Sequence, residues 1–239
     1  MLNFQKQFNA VTGALSLFDM SYFVSGAAMF LSLLLVFTDT ISEFIDKDHL
    51  IFSSIGCIVA IYILGILCWI AGKNLRYFFM FITTRKRNAV TIAFEKEFTT
   101  NYEALGLSEN TDISHIVNGA NGKSVAYSYM WAMLDRSENS DCRERFIYAS
   151  RFWVLRAIYE GLIVPVVFLI TCFYANYYNC CDVLSFKISN MVFYPLPFIV
   201  YVAFAYMFIY LLANEAKTCA NTQIREILVA YKRFESEVK

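Results

Sequence analysis

Hydrophobic residues in this chain gather in four long blocks separated by polar stretches. Tyr22 to Phe37 and Met191 to Ala213 carry no charge, Ile51 to Ala71 is uncharged throughout, and Phe152 to Ala175 holds one charged pair near its start. Each block approaches the roughly 20 residues that a helix needs to cross a bilayer. The pattern predicts an all-α integral membrane protein with four transmembrane helices arranged as two hairpins. Four regions follow: residues 1–72 with an N-terminal amphipathic helix and the first hairpin, 73–151 as a cytoplasmic helical segment, 152–213 as the second hairpin, and 214–239 as a C-terminal amphipathic helix. The spans fall at about 22–37, 51–71, 152–175 and 191–213.

Outside the blocks the period changes to that of half-buried helices. Phe4, Phe8, Val11, Leu15 and Phe18 recur at spacings of four and three, a face suited to the inner leaflet or to the cytoplasmic segment. Asn74 to Tyr102 repeats apolar positions at helical spacing, Gly106 to Ser124 reads as a turn-rich connector, and Val125 to Leu134 as a further helix. The tail places Ile224, Ile227, Leu228, Tyr231 and Phe234 on one stripe, with Arg225, Lys232 and Arg233 elsewhere on the wheel. No proline or glycine separates this stripe from the fourth block, so one helix is expected from Phe198 nearly to the terminus, roughly 60 Å long and projecting from the bilayer. The stripe needs a partner: the middle helices, the same helix of a neighbouring copy, or a docked cytosolic protein.

Composition agrees with the blocks. Of 239 residues 58% are hydrophobic and only 17% charged, too apolar for an ordinary soluble domain, and 20 basic against 20 acidic residues leave no net field to attract nucleic acid. The distribution of cations is more telling than their total. Residues 72–151 hold eleven and the tail from Asn214 five, whereas Lys47 and Lys187 are the single ones in the two short connections. By the positive-inside rule both termini and the middle segment are cytoplasmic, in a plasma or bacterial inner membrane, with no cleavable signal peptide expected. Arg85, Lys86 and Arg87 then form a cluster facing lipid headgroups. On the outer side Asp39, Glu43, Asp46 and Asp48 make an acidic loop, which around a ring of subunits would gather cations.

Candidate chemistry is sparse. Arg156 and Glu160 are the charges inside a span, four residues apart on one helical face, and predict a mutual salt bridge, a pore mouth or a gating contact. Pro165, Pro195 and Pro197 predict kinks in spans three and four, where each removes a backbone donor. Eight aromatics line span four, and the hydroxyls of Tyr194, Tyr201, Tyr206 and Tyr210 are expected to face other helices. Cys180 and Cys181 are adjacent in the outer connection, as free thiols or as an intersubunit link. His49 and His115 stand alone, no cysteine spacing suits zinc, and Asn121-Gly122-Lys123-Ser124 has Val117 where a phosphate loop needs glycine. No metal, cofactor or catalytic constellation is therefore expected, and no enzyme.

Small residues in the first hairpin (Ser25, Gly26, Ala27, Ala28, Gly56, Ala60 and Gly65) permit close helix approach, and together with the unpartnered tail favour a homo-oligomer. No motif identifies a family. In layout alone, two hairpins around a cytoplasmic segment, the chain resembles proton-driven stator subunits and four-span subunits of bacterial anti-phage systems such as Kiwa. Span four lacks the serine or threonine a stator proton path would use. The function expected is an oligomeric membrane-embedded sensor or pore-forming subunit that docks a cytosolic partner, in the resemblance's terms an anti-phage defence component; the alternative is a stand-alone ion channel.

Overall fold

The computed structural model describes residues 17–37, 50–85, 88–107, 111–119, 121–177 and 198–238. Among them the regular structure is helical: α1 (Leu17–Val36), α2 (Leu50–Thr84), α3 (Ala89–Ala104), α4 (Thr111–Val117), α5 (Gly122–Asp135), α6 (Ser140–Tyr177) and α7 (Phe198–Val238). Four are long and apolar enough to cross a membrane, through Asp19–Val36, Ile55–Thr84, Ser140–Ala175 and Ile199–Ser236. The chain thus has the make-up of an integral membrane protein. From Phe198 onward the fourth block and the tail form the single helix α7, as the absence of a breaker between them predicts.

The middle segment departs from its expected layout. The helical pattern from Asn74 to Tyr102 is broken at Arg85, whose φ of 54° is left-handed, so α2 stops and α3 starts anew after Asn88. The Arg85 N–H still donates to the Phe81 carbonyl at 2.7 Å, closing the last turn. Inside the expected connector from Gly106 to Ser124 lies the short α4, and Gly106 with φ 68° ends α3 ahead of it. A further break precedes α6. There Asn139 Oδ1 accepts the backbone N–H groups of Asp141 and Cys142 at 2.8 and 3.2 Å, a side-chain cap that fixes the helix start twelve residues before Phe152, where the apolar block alone would place it.

The chain divides into two compact units, one of Met1–Arg76 with Ala157–Ala216, the other of Tyr77–Arg156 with Lys217–Lys239. In the first, large side chains point outward and small ones inward. Ile55, Ile58, Val59, Ile63, Leu67 and Ile70 of α2 are exposed, while Gly65, Cys68, Gly72 and Arg76 are buried at spacings of three and four. Ser21, Ser25, Gly26 and Ser32 do the same for α1, and the Ser25 and Ser32 hydroxyls donate to their own helix at the Ser21 and Ala28 carbonyls. A Cβ on Gly26 would overlap the Ile61 carbonyl oxygen, and one on Gly65 the Tyr22 carbonyl oxygen. The first hairpin therefore closes backbone to backbone, and these small residues serve α1 against α2 within one chain. Gly56, by contrast, meets nothing nearby. Tyr201 of α7 stacks on Phe173 of α6 with centroids 5.9 Å apart, whereas Tyr206 and Tyr210 remain about half exposed.

The second unit is built the opposite way. Phe98 and Tyr102 of α3, Ile113 of α4, Met130 and Leu134 of α5, and Ile227 and Leu228 of α7 form one buried apolar cluster. Aromatic contacts extend it, from Phe94 on Tyr127 to Trp131 on Phe146 at 5.0 Å. Such an interior, with large apolar side chains packed on one another, is the kind that the removal of apolar surface from water stabilises.

Candidate functional site

Two charged side chains lie buried in the first unit. Arg76 on α2 and Glu160 on α6 approach to 2.9 Å between Nη2 and Oε1, and each side chain is only 2% exposed. The local sequence explains how they meet. Gly72 lies one turn before Arg76, and a Cβ there would overlap the Glu160 carbonyl oxygen; a Cβ on Gly161 would overlap Ser25 Oγ of α1. Three helices thus converge through glycines next to the pair, and the guanidinium reaches the carboxylate without leaving the helix. Pro165, buried in α6, has no N–H to give the carbonyl of Gly161 four residues earlier, which loosens the helix ladder at the same place.

A second polar contact ties α1 to α2. The Tyr62 hydroxyl donates to Asp19 Oδ1 at 2.7 Å. Tyr22 packs edge-on against Tyr62 and Trp69, with centroids at 6.1 and 5.6 Å, and Lys73 Nζ lies 5.8 Å from the Trp69 ring centroid. Carboxylate, rings and ammonium form a continuous run on the hairpin.

A buried pair of this kind adds little net stability. Desolvating both ions offsets most of their attraction, whereas removing one partner leaves a bare charge that costs about 3–5 kcal/mol. Charges in membrane-type helices are retained where they do something. Among the described residues no group of three or more His, Cys, Asp or Glu side chains is placed to hold a metal.

The residues singled out in the sequence fare unequally. Glu160 is buried and ion-paired, but its counterion on a neighbouring helix is Arg76, which sequence reasoning counted only among the cytoplasmic cations. The signal was present: Arg76, with Lys73 one turn earlier, stands between the apolar run Ile51 to Ala71 and the run Tyr77 to Ile82, and α2 continues through it to Thr84. Arg156 belongs to the other unit, where its charge partly counteracts the burial that pushes the Tyr127 phenol well above its ordinary range.

The tail face needs correction. Ile224, Ile227, Leu228 and Tyr231 are buried and Phe234 is partly buried against the helices of the middle segment, so the stripe expected to dock a partner is core of its own chain. The inference that the tail lacks partner surface within one chain falls with it. Arg85 is exposed at the end of α2. Lys86, Arg87, the acidic loop (Asp39, Glu43, Asp46, Asp48), Pro195, Pro197, Cys180 and Cys181 lie outside the described residues.

No family model, curated protein or solved structure matches this chain.

Proposed function

We propose that this protein is an oligomeric, membrane-embedded sensor or pore-forming subunit whose resting helix packing is held by the Arg76–Glu160 pair. The observation that supports this reading is the burial of two opposite charges at the glycine-lined convergence of α1, α2 and α6. Such a pair is tight while dry and weak once water reaches it, so it separates two packings of the same helices. The half-exposed Tyr206 and Tyr210 on α7 give neighbouring copies a surface to share. A cytosolic partner would meet other surfaces of the second unit, because the tail stripe is already covered. The layout shared with four-span anti-phage subunits makes a disturbance of the bilayer during infection the first stimulus to try.

The test is ion or dye leakage from liposomes carrying the full chain. Glu160→Gln leaves Arg76 unmatched and is expected to raise resting leakage on the order of a hundredfold, the weight of losing about 3 kcal/mol from the closed packing. The exchange Arg76→Glu with Glu160→Arg should return it toward the starting level. Folded Glu160→Gln protein that leaks no more than the parent would sink the pore reading. If its second unit also kept the same protease accessibility, the sensor reading would go too.

A further inference from the structure

The apolar part of α2 is too long for the bilayer it crosses. Ile55–Thr84 is 30 residues, about 45 Å at 1.5 Å per residue, against about 30 Å of hydrocarbon. Its final turns nevertheless keep a hydrophobic face: Phe78, Phe81 and Ile82 are 61%, 46% and 55% exposed. Positions 78, 81 and 82 share one side of the helix, and Arg85 follows directly after its last residue, Thr84. Arg85 is exposed and enters no ion pair among the described residues. The sequence around it supplies no counter-charge either, for not one acid occurs between Asp48 and Glu95, while Lys73, Arg76, Arg85, Lys86 and Arg87 do.

We propose that the Phe78–Phe81–Ile82 face and Arg85 bind an anionic phospholipid of the adjacent leaflet. The acyl chain lies along the aromatic face. The headgroup phosphate meets the guanidinium at the point where the left-handed Arg85 turns the chain off the helix axis. A second copy would bring the same acid-free stretch and no neutralising charge, whereas an anionic lipid brings both the apolar chain and the missing negative charge. The site is independent of the sensor reading above and of which way the chain crosses the membrane.

The experiment places the full chain in nanodiscs of phosphatidylglycerol and phosphatidylcholine in equal amounts and reads the lipids retained on the released protein by native mass spectrometry. Phosphatidylglycerol should be retained about tenfold over phosphatidylcholine, a preference that shrinks as salt is raised. Arg85→Gln should lower the preference about fivefold, the weight of one basic residue at an anionic surface, and Arg85→Lys should keep most of it. Equal retention of the two lipids, or a preference that Arg85→Gln leaves intact, overturns the proposal. So does a lipid-free dimer that Phe81→Ser dissociates, which would make the face a contact between copies. If Arg85→Gln folds poorly, Phe78→Ser serves in its place, and an undiminished phosphatidylglycerol preference there overturns the proposal equally.

Discussion

The two units of this molecule are packed by opposite rules. In the first, Gly26, Gly65, Gly72, Ser21 and Ser25 are inside, and Ile58, Val59, Ile63 and Leu67 are outside. In the second, Phe98, Met130, Leu134, Ile227 and Leu228 are inside. Water rewards hiding large apolar side chains, but a lipid surround gives no such gain, so helices there associate by bringing backbones close and by matching polar groups. The two burial patterns are those expected of helices packed in lipid and of helices packed in water. Among the described residues the deeply buried ion pair belongs to the first unit.

That contrast can be broken most strongly in the second unit. Leu228→Ala should cost about 2–5 kcal/mol in unfolding of the second unit, while Leu67→Ala on the exposed face of α2 should cost close to nothing in lipid. Paired denaturation curves in bilayers check both, and equal losses would mean that the two units are not packed for different surroundings. Gly65→Ala comes next. Its methyl group would collide with the Tyr22 backbone, an overpacking of about 1–3 kcal/mol that forces the hairpin apart, readable as a changed distance between spin labels on α1 and α2. The smallest effect is a pH dependence. Burial raises the Tyr127 phenol above its ordinary value of 10.0, so the neutral form is favoured in the fold. Its contribution is fully present below that value and lost as pH rises through the higher folded one. Helical content should fall in strong alkali, and Tyr127→Phe should flatten that part of the curve. A wild-type Tyr127 that titrates with the exposed tyrosines would contradict its burial.

What the sequence made legible follows the same physics. The long apolar helices announce themselves because length and lack of charge suffice to mark a crossing, and the unbroken α7 because no residue from Phe198 onward can stop a helix. The break at Arg85 was hidden, since arginine rarely takes a left-handed φ and nothing in its neighbours signals it. The amphipathic stripe of the tail was visible, but periodicity reveals that a face is covered without revealing by what; the stripe proved to share one buried cluster with residues of α3 to α6. The ion pair was half legible. Glu160 stands out inside an apolar block, but spacing along the chain favoured Arg156 four residues away, and only the approach of α2 at Gly72 brings Arg76 to it.

The most direct test is a double-mutant cycle on that pair, with Arg76→Met, Glu160→Leu and the two combined, read as unfolding free energy of the full chain in a bilayer. Each single change is expected to destabilise by about 3–5 kcal/mol, and the combined change to recover most of that loss, giving a coupling of about 2 kcal/mol or more. Losses that simply add, with no coupling, would show that Arg76 and Glu160 do not hold the helices together and would remove the latch on which the proposed function depends.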